Sequence, residues 1–266
     1  MRVVKFGGSS LATGTSVNQA LEIILADPSR QVMVVSAPGK RNSSDIKVTD
    51  LLIKYAKTVL NYQNYSKIVD EIYSRYQEIG HFFGLDETQL NIIKDILLSL
   101  PESSYPTNDY LIAAFKAHGE RLNARLIAMI LNQKGIKTKY LDPHEAGLTV
   151  TGEPNDAIVS PETYLNLDKI KIDSDEHIIF PGFFGITPSG HIATFSRGGS
   201  DITGAILAKG LHADLYENFT DVNGIFAANP VIIHHPQSIK TMTYREMREL
   251  SYAGFSVFHD EALIPA

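Results

Sequence analysis

The chain has 266 residues, 44% of them hydrophobic and 20% charged, a composition that can bury one large α/β core or two modest ones. Its net charge of −6, without a Lys/Arg run, argues against nucleic acid as the main partner, since neutralising phosphates takes clustered cations. There is no cysteine, which excludes disulfides, thiolate metal sites and cysteine nucleophiles; no stretch is long and apolar enough for a membrane span and no signal-peptide pattern is present, so a cytoplasmic location is expected.

Met1 to Val4 reads as a short buried strand, and Val17, Ala20, Leu21, Ile24 and Leu25 recur at helical spacing after it. Gln31 to Ser36 is a second buried strand, followed by a polar loop at Ala37 to Ser44 that is expected to be mobile. From Val48 to about Ser99 the pattern is helical, with a break near Gly80 to Gly84. A long helix from about Asp109 to Lys134 has an apolar face and ends at Gly135, before a strand at Lys137 to Leu141 and a loop at Asp142 to Gly147. His177 to Gly185 is expected as one strand closed by glycines, and Ser189-Gly190 as a hairpin tip before Ile192 to Phe195. A helix at about Asp201 to Gly210, a strand around Ala213 to Glu217 and a last helix near Tyr244 to Ala253 follow. Alternating strands and helices predict an α/β class with a mainly parallel sheet, and no repeat or linker marks a domain boundary.

Two stretches carry chemistry. Lys5-Phe6-Gly7-Gly8-Ser9-Ser10 places a cation and two glycines in a strand-to-helix turn, where N–H groups turn toward an anion. The same stretch reads equally as a plain βα turn with a surface lysine. Arg197-Gly198-Gly199-Ser200-Asp201 repeats the pattern ahead of a helix whose N-terminus attracts anions, although Ser200 or Asp201 serves equally as an ordinary cap. Two such turns at strand ends of one parallel sheet imply a ligand with several negative groups, such as a nucleotide and a carboxylate. P-loop and G-x-G-x-x-G patterns are missing, and His234, His235 and His259 lack metal-ligand spacing.

Taken together, Val4 to Ser10, Val34 to Ala37, His118 to Leu122, Ser196 to Asp201 and Phe219 to Ile225 resemble the aspartokinase family, in that family's order and over essentially the whole chain. The resemblance implies a three-layer α/β/α sandwich of the amino acid kinase (carbamate kinase-like) fold. It implies one catalytic domain over 1–266, with roughly 1–180 on the acceptor side and 181–266 on the nucleotide side. The implied activity is phosphorylation of the L-aspartate side-chain carboxylate by ATP with Mg2+, giving 4-phospho-L-aspartate in lysine, threonine and methionine biosynthesis. A homo-oligomer is among its implications.

Site roles come from the same resemblance. Lys5 would bridge phosphate oxygens, the Gly7 and Gly8 amides would cradle the transferring group, and Asp201 would hold Lys5. On the acceptor side stand Ser36, Thr49, Glu120, Arg197, Gly199 and Ser200, with Arg197 offering a fork to a carboxylate and Glu120 an acceptor for the ammonium. From the residues alone, Glu120 reads as a solvated position on a long helix. The nucleotide side comprises Lys5, Gly8, Ser9, Thr220, Asp221, Gly224, Ile225, Phe226, Asn229 and Pro230. The chain departs from the family at Phe226, Asn229, Val231 and Ser256, all on the nucleotide side. In that family Ile264-Pro265-Ala266 would be followed by a further strand and two regulatory ACT modules; their absence here leads to the expectation that lysine and threonine do not regulate this chain. A weak nucleotide- or aspartate-binding module and a sister kinase with another acceptor are the alternatives.

Overall fold

In a strand, successive side chains point to opposite faces of the sheet. Val3 and Val4 are both fully buried, as are Val32, Met33, Val34 and Val35, so the sheet they build must be covered on both sides. The computed structural model describes residues 1–196, 198–220, 224–226, 234, 236–252 and 265.

In chain order the elements are β1 (Arg2–Phe6), α1 (Gly14–Leu25), β2 (Val32–Val35), α2 (Val48–Leu60), α3 (Ser66–Phe82), α4 (Glu87–Ser99) and α5 (Asn108–Gln133). Next come β3 (Thr138–Tyr140), β4 (Val150–Glu153), β5 (Asp156–Val159), α6 (Glu162–Leu167), β6 (His177–Pro181), β7 (Phe184–Ile186) and β8 (Ile192–Thr194). The chain continues with α7 (Gly199–Gly210), β9 (Leu215–Phe219), β10 (Ile225–Phe226), β11 (Ser238–Ile239) and α8 (Tyr244–Tyr252). The central sheet has the order β3-β6-β2-β1-β9, with every neighbouring pair parallel. Val4, Phe6, Met33, Val35 and Ile179 face one apolar core shared with α1 to α5; Val3, Val32, Val34, Ile178 and Phe180 face the other, shared with α6 and α7. The result is a three-layer α/β/α sandwich, as expected. After β1 the chain builds the sheet outward through β2, and it returns to the other side of β1 only with β9. That reversal makes a crevice at the carboxyl end of β1, where open parallel sheets bind ligands.

Local chemistry explains where the structure departs from the sequence reading. β1 extends to Phe6, so Lys5 lies inside the strand, paired with Val34 on one side and Asn218 on the other. The helical run breaks a second time at 61–65, because Tyr62 adopts a left-handed backbone (φ 55°) and the Asn64 side chain accepts from the Ser66 amide at 2.9 Å. Continuing apolar spacing through Val59, Tyr65 and Ile68 hid that break. The predicted strand over His177 to Gly185 is two strands, interrupted at Gly182 and Phe183, where Phe183 has φ 80°. The β4–β5 and β7–β8 pairs are antiparallel hairpins beside the parallel sheet. The first of these, together with α6, was not foreseen. The strand placed at Ala213 to Glu217 runs instead from Leu215 to Phe219, in register with β1.

The loop after β2, expected to be mobile, is tied down. Arg75 of α3 is buried and donates to the carbonyls of Gly39 (2.6 Å) and Ile46 (2.9 Å), while its guanidinium pairs with Asp45 at 3.1 Å. Arg41 clamps the same Asp45 at 3.0 Å and reaches Glu78. The Gly39 amide in turn donates to the Gly8 carbonyl at 2.8 Å. Replacing Arg75 with Met strands two buried carbonyls, so Arg75→Met is expected to lower unfolding stability by about 2–4 kcal/mol. Urea denaturation of the two proteins measures this, and a loss below about 1 kcal/mol would mean that the loop is not held through Arg75.

Candidate active site

Lys5 ends up buried because β2 and β9 flank it in the sheet and α7 packs on its face. A buried ammonium needs a counter-charge. Asp201, in the first turn of α7, supplies it at 2.7 Å from Lys5 Nζ. The Asn218 amide of β9 donates to the same Asp201 oxygen at 3.0 Å, and the Tyr216 hydroxyl donates to the Asp201 carbonyl at 3.2 Å. Lys5 is therefore a fixed cation rather than a surface lysine. Asn218 was missed in the sequence, where it stands out only once the β1–β9 register is known.

The two turn glycines have different jobs. A side chain on Gly8 would collide with the Ala37 carbonyl at 2.8 Å, and one on Gly39 would meet Gly8 at 2.6 Å. Gly8 is thus glycine so that the turn can pack on the tethered loop. A side chain on Gly7 would meet only Lys5 Nζ at 3.6 Å and the Phe219 carbonyl at 3.9 Å, ordinary contacts, and the Gly7 amide donates to that carbonyl at 3.3 Å. The second turn obeys the same logic. Gly198 caps α7 with a left-handed backbone (φ 73°), and a side chain on Gly199 would run into the Phe183 ring at 2.5 Å.

Glu120 sits on α5, which lies close against the end of β2. Gly119 permits that approach, since a Cβ there would meet the Ala37 methyl at 2.7 Å. Asn123 donates to the Ser36 carbonyl at 2.7 Å and Tyr76 to the Gly119 carbonyl at 2.9 Å, locking the helix in place. Glu120 is consequently only 5% exposed, the opposite of the solvated position its helix suggested. Burial pushes its carboxyl up to about 8, although it accepts from the Ala37 amide and lies near Lys116. One of its oxygens, Oε2, is buried without a hydrogen-bond partner among the described residues. Arg121 next to it is structural, paired with Asp142 at 2.9 Å.

These groups line one cleft of about 660 Å3, a volume suited to a small-molecule ligand. It brings together Lys5, Gly7, Gly8, Ser36, Thr49, Glu120, Gly199, Ser200 and Asp201. Lys47, Asp50, Lys116, Asn155 and Phe183 also line it and were not foreseen. Ser9 and Thr220 lie in a neighbouring hollow of about 310 Å3 beside α1, next to the stacked Phe6 and Phe219 rings. Gly224, Ile225 and Phe226 line neither space; Ile225 and Phe226 pair with β11. Arg197, Asp221, Asn229, Pro230, Val231 and Ser256 lie outside the described residues. Among the described residues no cluster of three or more His, Asp or Glu side chains is placed to hold a metal ion, and no helix is long and apolar enough to cross a membrane.

A parallel sheet with a cationic glycine turn at its reversal point and a buried carboxylate across the cleft agrees with what comparison finds: the chain belongs to the amino acid kinase family, whose model matches residues 1–266. Within that family the similarity is to aspartokinases. Aspartokinase 3 of Bacillus subtilis is 50% identical over 266 residues, covering 100% of this chain and 58% of the relative. The lysine-sensitive aspartokinase 3 of Escherichia coli is 26% identical over 99% of this chain and 58% of its own length. The structure of Clostridium acetobutylicum aspartate kinase superposes with a TM-score of 0.82 at 34% identity, over 100% of this chain and 57% of that one. That of E. coli aspartokinase III in complex with aspartate and ADP has the same fold, with a TM-score of 0.84 at 24% identity over 100% of this chain and 59% of that one. The chain thus spans somewhat over half the length of these relatives.

Glu120 makes a stability prediction with an unusual sign. Its folded pKa lies above the free value, so its contribution is full below about 4.5 and is lost as pH rises through about 8. Glu120→Gln mimics the protonated side chain. Its melting temperature should match that of the parent near pH 5 and exceed it by several degrees near pH 8.5. A constant difference across that range would show that Glu120 is not the titrating group.

Proposed function

We propose that this chain catalyses transfer of the γ-phosphoryl group of ATP to the side-chain carboxylate of L-aspartate, giving 4-phospho-L-aspartate and ADP, the entry to lysine, threonine and methionine biosynthesis. The observation that carries the reading is the Glu120 oxygen that has no hydrogen-bond partner among the described residues, buried in the same cleft as the fixed Lys5 cation. A buried acceptor without a donor suits an ammonium, and a fixed ammonium beside a glycine turn suits a phosphoryl group. The 50% identity to a protein named aspartokinase supports the same reading.

The acceptor carboxylate has an ordinary pKa of about 3.9 and is ionised at neutral pH, so no general base is required. One of its oxygens attacks the γ-phosphorus, the bond to the β,γ-bridging oxygen breaks, and ADP leaves with that electron pair. The barrier comes from bringing two anions together, so the protein's work is positioning and charge neutralisation. Lys5, oriented by Asp201 and Asn218, meets the charge on the transferring oxygens, and the glycine turn offers the Gly8 amide to them, the Gly7 amide being used by the Phe219 carbonyl at 3.3 Å. Glu120 takes the substrate ammonium. The charge neutralisation that Mg2+ would supply when bound would come in with the nucleotide, since no carboxylate cluster among the described residues is placed to hold the ion. The acceptor groups divide between residues 1–180 (Ser36, Thr49, Glu120) and 181–266 (Arg197, Gly199, Ser200), whereas the nucleotide groups fall mostly within 181–266.

ADP release measured by a coupled assay with aspartate, glutamate, acetylglutamate, carbamate and uridylate tests the proposal, and only aspartate should support turnover. Release with another acceptor in preference to aspartate would overturn it. Lys5→Ala is expected to lower kcat by about 100- to 1,000-fold while changing the aspartate KM little, because its contact strengthens in the transition state. Glu120 must be ionised to hold an ammonium, so kcat/KM for aspartate should rise with pH toward a plateau above about 8. Glu120→Gln should flatten that rise and increase the aspartate KM by at least about 30-fold.

A further inference from the structure

Both walls of the cleft are held from outside it by two neighbours on α3. Arg75 and Tyr76 are consecutive and buried, and neither lines the cleft. Consecutive side chains on a helix are turned about 100° from one another, so the two leave α3 in different directions. Arg75 reaches the loop after β2. Its guanidinium donates to the carbonyls of Gly39 at 2.6 Å and Ile46 at 2.9 Å, and the Gly39 amide donates to the Gly8 carbonyl at 2.8 Å. Tyr76 reaches the opposite wall, where its hydroxyl donates to the Gly119 carbonyl at 2.9 Å, one residue before Glu120.

The two branches meet at Ala37. Its amide donates to the Glu120 carboxylate. Its carbonyl lies 2.8 Å from where a Cβ on Gly8 would stand, and its methyl 2.7 Å from where one on Gly119 would stand. Packing this close transmits a displacement of either wall to the other.

Apolar packing does not call for these polar groups. Ile68, Val69, Ile72 and Ile79 already anchor α3 in the core. A buried guanidinium is unfavourable to desolvate, and Arg75 keeps its Nε without a hydrogen-bond partner among the described residues. Burial raises the Tyr76 pKa well above its ordinary value, which keeps the hydroxyl a donor. We infer that Arg75 and Tyr76 are positioning residues for the phosphoryl transfer, Arg75 setting the glycine turn through the loop and Tyr76 setting the Glu120 wall through the Gly119 carbonyl, so that one turn of α3 fixes the separation of the two subsites. This inference rests on the reaction proposed above.

The test compares Tyr76→Phe, which removes one hydroxyl and keeps the ring, with Arg75→Met and Arg75→Lys in the otherwise unchanged chain. ADP release is measured with aspartate and ATP each varied, and rates are referred to the folded fraction found by circular dichroism. Tyr76→Phe should raise the aspartate KM by about 3- to 10-fold, with kcat and the ATP KM close to the parent's, because it loosens only the Glu120 wall. Arg75→Met should lower kcat by about 10- to 100-fold and change the aspartate KM little, because the glycine turn meets the transferring group. Arg75→Lys keeps a donor for the loop carbonyls and a counter-charge for Asp45, so it should recover most of that loss. If Arg75→Met does not fold, Arg75→Lys must show the same selective fall in kcat at smaller size. A merely stabilising role predicts lower melting temperatures with kcat and both KM values of the folded protein unchanged, and that result would overturn the inference. The same kcat and KM pattern in the Arg75 and Tyr76 variants would overturn it too. A parent chain that releases no ADP with aspartate overturns the proposed function and this inference together, whereas an active parent matched by all three variants removes the inference alone.

Discussion

The site is organised around a buried ion pair between two elements far apart in sequence. Lys5 belongs to the first strand and Asp201 to a helix formed almost 200 residues later, yet their charged atoms lie 2.7 Å apart. A buried pair of this kind adds little net stability, because the desolvation of both ions offsets their attraction. It does impose position. Removing either partner leaves the other charge buried alone, so the helix, the strand and the glycine turn each carries are held to one arrangement. Asn218 strengthens the constraint from the opposite strand, since its amide donates to the same carboxylate oxygen. The sheet order supports this arrangement, because β9 lies beside β1 and brings Asn218 level with Lys5.

Glu120 applies the opposite principle on the other wall. Its burial is unfavourable for the protein alone, because desolvation disfavours the charged carboxylate. The fold nevertheless drives α5 against β2, using Gly119 to close the distance and Asn123 and Tyr76 to lock it. A carboxyl pushed up to about 8, with one oxygen lacking a partner among the described residues, is a local sacrifice of stability at the proposed acceptor site. Phe183 is a second sacrifice, made in backbone strain rather than in charge. The two lie on one cleft and are connected through Lys116, which rests over the Phe183 ring one turn before Glu120.

The loop between β2 and α2 links this wall to the glycine turn. It looks mobile as a string of polar residues, but Arg75 reaches it from beneath and satisfies two of its carbonyls. The loop presses Gly39 onto Gly8, and that contact explains the absence of a side chain at Gly8. Residues that looked like ligand-contact glycines are therefore partly packing glycines, with Gly7 the one where a side chain would meet no close neighbour.

Much was determined by the amino-acid sequence alone, because it depends on local periodicity and turn chemistry. The alternation of strands and helices, the parallel central sheet, the long helix carrying Glu120, the Ser189-Gly190 hairpin and the two cationic glycine turns all follow from residue spacing over a dozen positions or fewer. The family resemblance added the pairing of Lys5 with Asp201, which no local pattern shows. Only the tertiary structure decided the rest. Whether Lys5 is a surface lysine or a fixed cation depends on β9 arriving beside it from position 215 onward. The burial of Glu120 depends on how closely α5 meets Ala37, and the helix's own sequence, amphipathic and mixed, carries no record of that distance. Tyr62 and Phe183 broke expected elements with left-handed backbones that their residue types disfavour, so contacts elsewhere in the fold had to impose them. Lys116, Asn218 and Arg75 were invisible for the same reason. Each is an ordinary polar residue at an ordinary spacing, and only a partner more than ten residues away gives it a role: Phe183, Asp201 and Gly39, respectively.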